Sequence, residues 1–290
     1  MIMTHRSGCV SETTKALICV SLFLLAGCVP SSGENSPVRC PTQLVMNETF
    51  DTLSVSPDRI GPARWTAHTP WNGDFGDARF MDPGTEGPFS ASNGVLSITA
   101  RKDAQGQWTS GLLAAADPSG NGTGTRYGYF EARMKMPPGP GTWPAFWLAA
   151  LKPASDREGN VEIDVIEYYG QFTSAFRSSL HVWYTDRSRY RGHGTKVSVP
   201  DHSLVSDFHR YGVDISPQAI VFFLDGKEFW RQPTPEELTY PMFPLVNLAL
   251  GSGWPIDQTP NPSILLVDYV QIYGRDAGPP QGCIPGPPPD

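Results

Sequence analysis

The stretch Glu162-Ile163-Asp164-Val165-Ile166-Glu167 decides the fold of this chain. Three carboxylates sit among β-branched apolar residues, a composition that favours a half-buried strand. Side chains alternate along a strand, so Glu162 and Asp164 share a face. On a regular strand Glu167 points the opposite way. A β-bulge, which places one extra residue on a strand, would swing Glu167 back to the acidic face and leave the Val and Ile side chains to the core. Three acids on one face repel one another unless function or a cation compensates.

The chemistry that wants such a face is glycoside cleavage, with one carboxylate as nucleophile and a protonated acid roughly 5 Å away in retaining enzymes. A flat strand would hold the outer two acids about 13 Å apart at their Cα atoms. The strand must therefore be concave, and a deeply curved sheet is implied. Taken alone, the triplet equally suits a solvated acidic strand edge or a calcium site.

Nearby residues shift that balance. Gly141-Thr142-Trp143-Pro144-Ala145-Phe146-Trp147 lies upstream, preceded by Tyr127-Gly128-Tyr129-Phe130-Glu131-Ala132-Arg133. With the acidic stretch, these segments resemble the laminarinase/lichenase clan of β-glycanases, glycoside hydrolase family 16. Its motif is E-x-D-x-E or the longer, bulged E-x-D-x-x-E, and this chain carries the longer form. The resemblance runs from about Phe50 to Tyr273 and includes Asn247 to Gly251 and Leu266 to Val270. Three further stretches, His68 to Asp77, Ser179 to Trp183 and Gly251 to Pro255, are similar to bacterial exopolysaccharide-cleaving members of the succinoglycan-depolymerase type.

The resemblance implies a β-jelly roll, an all-β sandwich of two curved antiparallel sheets with a concave substrate cleft. It implies Glu162 as nucleophile, Glu167 as acid/base and Asp164 as the group that tunes Glu162. It places Trp143 on a sugar ring and His181 beside the acid/base, although a satisfied core histidine is the plainer reading of His181. Trp147, four residues from Trp143 on one strand, reads as cleft wall or as core. Trp71 and Trp254 sit in Gly/Pro-rich loops, where a cleft-lining role is more natural than burial. Arg133 pairs either with cleft carboxylates or with Glu131. No His/Cys cluster has zinc spacing. The chemistry needs no cofactor, but the resemblance implies a structural calcium held by Glu48, the Gly94 carbonyl and Asp268.

Composition agrees with a β protein. The 29 Gly and 29 Pro are scattered through 290 residues, as suits many strands joined by tight turns. A formal charge of −7 without Lys/Arg clusters argues against a nucleic-acid partner. Eight Trp and ten Tyr suit stacking on sugars. Strand patterns cover Val95 to Thr99 (edge or hairpin), Tyr127 to Met136, Trp143 to Leu151, Tyr211 to Ile215, Ile220 to Leu224 and Ile264 to Tyr273. Asp225-Gly226 signals a two-residue hairpin turn, and Pro235 to Leu238 a helical turn.

The N-terminus reads as a targeting segment. Ala16 to Leu25 is an apolar run of signal-peptide length, too short to span a membrane. Leu25-Ala26-Gly27-Cys28 resembles a lipobox, which would make Cys28 the lipidated mature N-terminus; an ordinary cleavage site nearby is the alternative. The expected layout is a signal peptide over 1–27, a tether over 28–45, the sandwich over 46–275 and a Pro-rich tail over 276–290. Cys9 and Cys19 go with the signal, so Cys40 and Cys283 remain as a disulfide candidate in an oxidising compartment.

The expected protein is therefore an exported monomer, anchored by lipid to the cell envelope (the outer membrane, if the host has one) or secreted. It would be a retaining endo-β-glycanase that hydrolyses β-1,3/1,4-type linkages in a polysaccharide, a bacterial exopolysaccharide being the expected one. A transglycosylase on the same scaffold, or a lectin-like lipoprotein that binds glycan without cutting it, are the rival expectations.

Overall fold

Strands fill the chain from Gln43 to Gly274, with alternating burial along Val95–Lys102 and Ser263–Gly274 and unbroken burial along Trp108–Ala114 and Met242–Leu250. The structure, a computed structural model, describes residues 40, 42–71, 73–275, 283, 284, 286 and 287. The expected signal peptide, Cys28 and most of the tether and tail lie outside the described residues. In chain order the strands are β1 (Gln43–Glu48), β2 (Val55–Ser56), β3 (Trp65–Thr66), β4 (Arg79–Phe80), β5 (Phe89–Ser92) and β6 (Val95–Lys102). Then come β7 (Trp108–Ala114), β8 (Gly128–Lys135), β9 (Thr142–Ala150), β10 (Asn160–Glu167), β11 (Ala175–Trp183) and β12 (Arg191–Ser198). Last are β13 (His209–Ile215), β14 (Ala219–Leu224), β15 (Lys227–Pro233), β16 (Met242–Leu250) and β17 (Ser263–Gly274). β1 begins inside the stretch assigned to the tether.

Antiparallel pairing sorts these strands into two sheets. One runs β5-β6-β17-β8-β13-β14-β15, with β1 sharing the β6 edge of β17. The other runs β12-β11-β10-β9-β16-β7. The hairpin from β6 to β7 links them, pairing Arg101 with Thr109. This is the expected curved sandwich.

Between the sheets, Phe130, Ala132 and Met134 of β8 and Val267, Val270 and Ile272 of β17 are fully buried, as are Phe146 and Leu148 of β9 and Ile163 and Ile166 of β10. Each such large side chain contributes about 1.5–3 kcal/mol by leaving water. The opposite face of β9 and β10 is left for the cleft.

Local signals explain several joints. Asp225 and Gly226 have φ of 51° and 76°, as the two-residue turn between β14 and β15 requires. Val95 to Thr99 lies in β6, which forms a hairpin with β5 and is covered on its other side by β17. Pro235 to Leu238 closes a turn through Leu238 N–H donating to the Pro235 carbonyl (3.1 Å) but starts no helix. Helical turns form instead at Arg187–Arg189 and Ser203–Ser206, segments too short to carry a periodic pattern. A disulfide joins Cys40 to Cys283 with Cα atoms 4.9 Å apart.

Candidate active site

β10 carries the bulge that the acidic stretch demands. Against β11, Glu162 pairs with His181, Asp164 with Ser179 and Glu167 with Arg177, so three steps on β10 match two on β11. Against β9, Asp164 pairs with Trp147, whereas Ile166 pairs with Phe146, and Val165 is the surplus residue. Cross-strand partners share a face. Glu162, Asp164 and Glu167 therefore stand together on the face away from the core. Val161, Ile163 and Ile166 are buried on the other.

The same registers build the floor around the acids. Ala149 lies opposite Glu162, Trp147 opposite Asp164 and Ala145 opposite Glu167, so Trp143, Ala145, Trp147 and Ala149 alternate large and small along one face of β9. The small residues leave room beside the two outer acids. Trp143 Nε1 and Tyr169 OH each donate to Glu167 Oε1 at 3.1 Å, and the two rings lie nearly parallel. The second oxygen of Glu167 is left free of both. His181 Nε2 stands 3.2 Å from Asp164 Oδ2, while its Nδ1 meets Tyr190 OH at 2.7 Å. Ligand atoms of Glu162, Asp164 and His181 all lie within 4.8 Å of one another.

Burial and like charge act together on these acids. Burial, then the Asp164 charge, push the Glu162 carboxyl up to about 8, with His181 opposing. Burial, followed by the Glu167 charge, holds Asp164 well above the usual carboxylate range. The cluster thus retains a proton under conditions where separate acids would have lost theirs.

The other predicted residues scatter more. Trp147 is buried, donates through Nε1 to Asn247 Oδ1 at 2.8 Å, and meets Trp71 and Phe75 edge-on at 5.9 Å. It is the base of an aromatic wall, core and cleft at once. Trp71 lines a cleft of about 780 Å³ that also reaches Glu162. The loop bearing Trp71 and Phe75 is pinned by His68, which sits between Asp74 (2.9 Å) and Asp82 (3.2 Å). Trp254, 44% exposed, packs edge-on against Phe172 at 5.2 Å.

Arg133 is corrected. It lies on β8 of the opposite sheet, bonded to Asp268 at 2.6 Å and stacked over Phe208. Neither cleft carboxylates nor Glu131 hold it. The calcium set fares no better. Both Glu48 oxygens are taken by Arg64, the Trp65 indole and the Phe50 N–H, and Asp268 is neutralised by Arg133. Two carboxylates that already face a guanidinium do not suit a divalent cation, so the site does not fit calcium.

Comparison with known proteins agrees with this geometry. Residues 85–271 match the model of glycosyl hydrolases family 16, well over half of the chain. The chain belongs to glycosyl hydrolases family 16. It is 35% identical to the endo-1,3-1,4-beta-glycanase EglC of Rhizobium meliloti (strain 1021) over 203 residues, which are 66% of this chain and 40% of the relative. The chain thus spans less than half the length of that relative. It is 28% identical to the beta-glucanase of Rhodothermus marinus over 275 residues, 87% of this chain and 92% of that one. The X-ray structure of the laminarinase from Rhodothermus marinus superposes with a TM-score of 0.65 at 26% identity, covering 81% of this chain and 98% of that chain. In this family-16 chain, the E-x-D-x-x-E spacing is the bulge itself. Sequence reasoning missed Tyr169, Tyr190 and Asn247 as partners of the cleft residues. Tyr169 had a signal, since it follows Glu167 by two residues. Tyr190 reaches the site from the turn before β12 and Asn247 from β16, and nothing local marks them.

Proposed function

We propose that this chain is an endo-β-glycanase that hydrolyses β-1,3/1,4-type linkages of a polysaccharide, probed best as an exopolysaccharide, with retention of configuration. The observation that carries this is the bulged strand β10, which lines Glu162, Asp164 and Glu167 on one cleft face. A glycan-binding module has no use for one buried and two half-buried acids that repel one another on a single face. Glu162 and Asp164 both hold a raised carboxyl and share the retained proton; when it lies on Asp164, one charge is removed from beside Glu162, which is then free to ionise. Glu162 then attacks the anomeric carbon as the bond to the leaving oxygen breaks, and Glu167, which enters the cycle carrying a proton of its own, gives it to that oxygen and leaves as the carboxylate. In the second step Glu167 takes a proton from water, whose oxygen displaces the Glu162 carboxylate. Trp143 and Tyr169 fix Glu167 through one oxygen, so the other can carry the proton in transit.

Leaving-group chemistry tests the roles. Glu167→Ala should lose most turnover of polysaccharide yet keep a far larger share on a dinitrophenyl glycoside, whose departure hardly needs an acid. Azide should rescue its second step and give the β-glycosyl azide. Rescue in an Asp164 variant, with none in Glu167→Ala, would move the donor role to Asp164.

The protein acts outside the cytoplasm, held to the envelope by lipid on Cys28. Metabolic labelling with a fatty-acid analogue should mark the wild type and not Cys28→Ser; an unlabelled wild type would remove the anchor.

A further inference from the structure

Beyond Glu162 the cleft continues between the end of β11, the turn after it and the loop that follows β9. Its wall there has two parts. The first is aromatic. Trp183 and Tyr190 are 42% and 40% exposed, with ring centroids 4.5 Å apart and planes tilted by 34°. Tyr190 is fixed through its hydroxyl to His181. The two rings pack against each other and leave the outer side of the pair open to water, a surface that suits the apolar face of a sugar.

The second part is cationic. Lys152, Arg157 and Arg187 line this end with the shelf and Glu162. Lys152 is neutralised by Asp156 at 3.3 Å and donates to the Glu158 carbonyl. On the neighbouring hairpin, Arg189 pairs with Glu158 at 3.3 Å, and Arg191 pairs with Glu237 and bonds Tyr184. The nearby Asp186 is turned onto the Ser188 N–H and hydroxyl, at 3.0 and 2.8 Å. Arg157 and Arg187 remain. Neither has an ion-pair partner among the described residues, and both are exposed.

Two uncompensated guanidiniums beside an aromatic shelf are a poor match for a neutral glucan, which offers only hydroxyls. They match a sugar bearing a carboxylate or a sulfate, which a guanidinium grips through paired N–H donors. Such a polymer would otherwise be repelled by a chain of net charge −7 and by the three cleft acids. We propose that this end of the cleft is a subsite for a sugar carrying an anionic group, stacked on Trp183 and Tyr190 and held by Arg157 and Arg187. The substrate is accordingly an acidic polysaccharide. This deepens the endo-β-glycanase reading and rests on it.

The test uses one β-1,3/1,4-glucan in three forms: neutral, carboxymethylated and sulfated. Binding is read by affinity electrophoresis in gels holding each polymer, and turnover by release of reducing ends. The wild type should bind and cleave at least one acidic form roughly tenfold better than the neutral parent at low salt, the scale of two part-exposed ion pairs. Which acidic form wins identifies the group. In the double variant Arg157→Gln/Arg187→Gln the acidic-to-neutral ratio should fall to about one, and Arg157→Lys/Arg187→Lys should restore part of it; raised salt should shrink the wild-type ratio. Equal handling of acidic and neutral polymers, or a preference that survives the Gln variant, overturns the subsite. Full cleavage of the neutral polymer without acidic preference removes the subsite and leaves the glycanase. Charge-selective binding that depends on the two arginines, with no cleavage of any form, keeps the subsite and removes the glycanase.

Discussion

At the scale of the residue, Glu162 pays for function in stability. Its carboxyl is raised to about 8 in the fold, above an unfolded value near 4.5. A raised group contributes stability that is fully present below the unfolded value and is lost as pH climbs through the folded one. Wild-type stability should therefore decline between about pH 5 and pH 8 through this acid and Asp164. Glu162→Gln removes the charge while keeping shape and hydrogen bonding. It should abolish turnover, retain glycan binding, and match the wild-type Tm near pH 5. At pH 8 it should melt several degrees higher, since each pH unit across that window costs the wild type up to about 1.4 kcal/mol and 1 kcal/mol is worth about 2–4 °C in a domain of this size. Calorimetry at the two pH values decides. The same gain at both would mean that the buried charge is not the source, and near-normal turnover would remove Glu162 as nucleophile.

At the scale of the element, the bulge on β10 is a device that can be deleted. Val165 is the residue that β9 leaves unpaired. Removing it would turn the stretch into Glu-Ile-Asp-Ile-Glu, where plain alternation keeps all three acids on one face. The variant loses a buried side chain and the bond from Ser178 Oγ to the Val165 carbonyl (2.7 Å). It should still fold and keep measurable turnover, down by up to roughly 100-fold, the penalty of an ångström-scale misplacement. Deleting Ile163 instead shifts Glu162 to the core face and should leave no turnover. Equal activity in the two deletions would show that the register of β10 does not orient the acids.

At the scale of the molecule, the ends of the sandwich are tied together. Cys40 bonds Cys283 across 243 positions of sequence. Nearby, Arg275 pairs with buried Asp214, which also accepts the Gly286 N–H at 2.8 Å. Closing so long a loop in the unfolded chain is worth about 5 kcal/mol in the entropy model, with 2–4 kcal/mol typical once strain intervenes. Cys40→Ser/Cys283→Ser should thus lower the urea midpoint and steepen the transition, because the uncrosslinked denatured chain exposes more surface, with little change in turnover at 25 °C. Loss of turnover in the folded double variant would mean that the clasp shapes the cleft.

The sequence by itself pointed to several of the strands, to the need for a bulge if the three acids are to share a face, and to the two cysteines as a candidate pair, because alternation, an odd spacing of acids and compartment chemistry are local or compositional facts. Trp143, read as a loop edge from its Gly and Pro neighbours, lies instead on strand β9, where its indole bonds Glu167. Arg133 and the calcium set could not be placed that way. Which carboxylate an arginine meets depends on strands brought together from distant positions, and here β17 supplies Asp268 to Arg133 while Arg64 takes Glu48. Tyr190 on His181, Asn247 on Trp147 and the two arginines without an ion-pair partner among the described residues likewise meet the cleft only once the sheets and the loops between them are packed. Period two tells a side chain which face it occupies; only the packed sheets decide what it finds there.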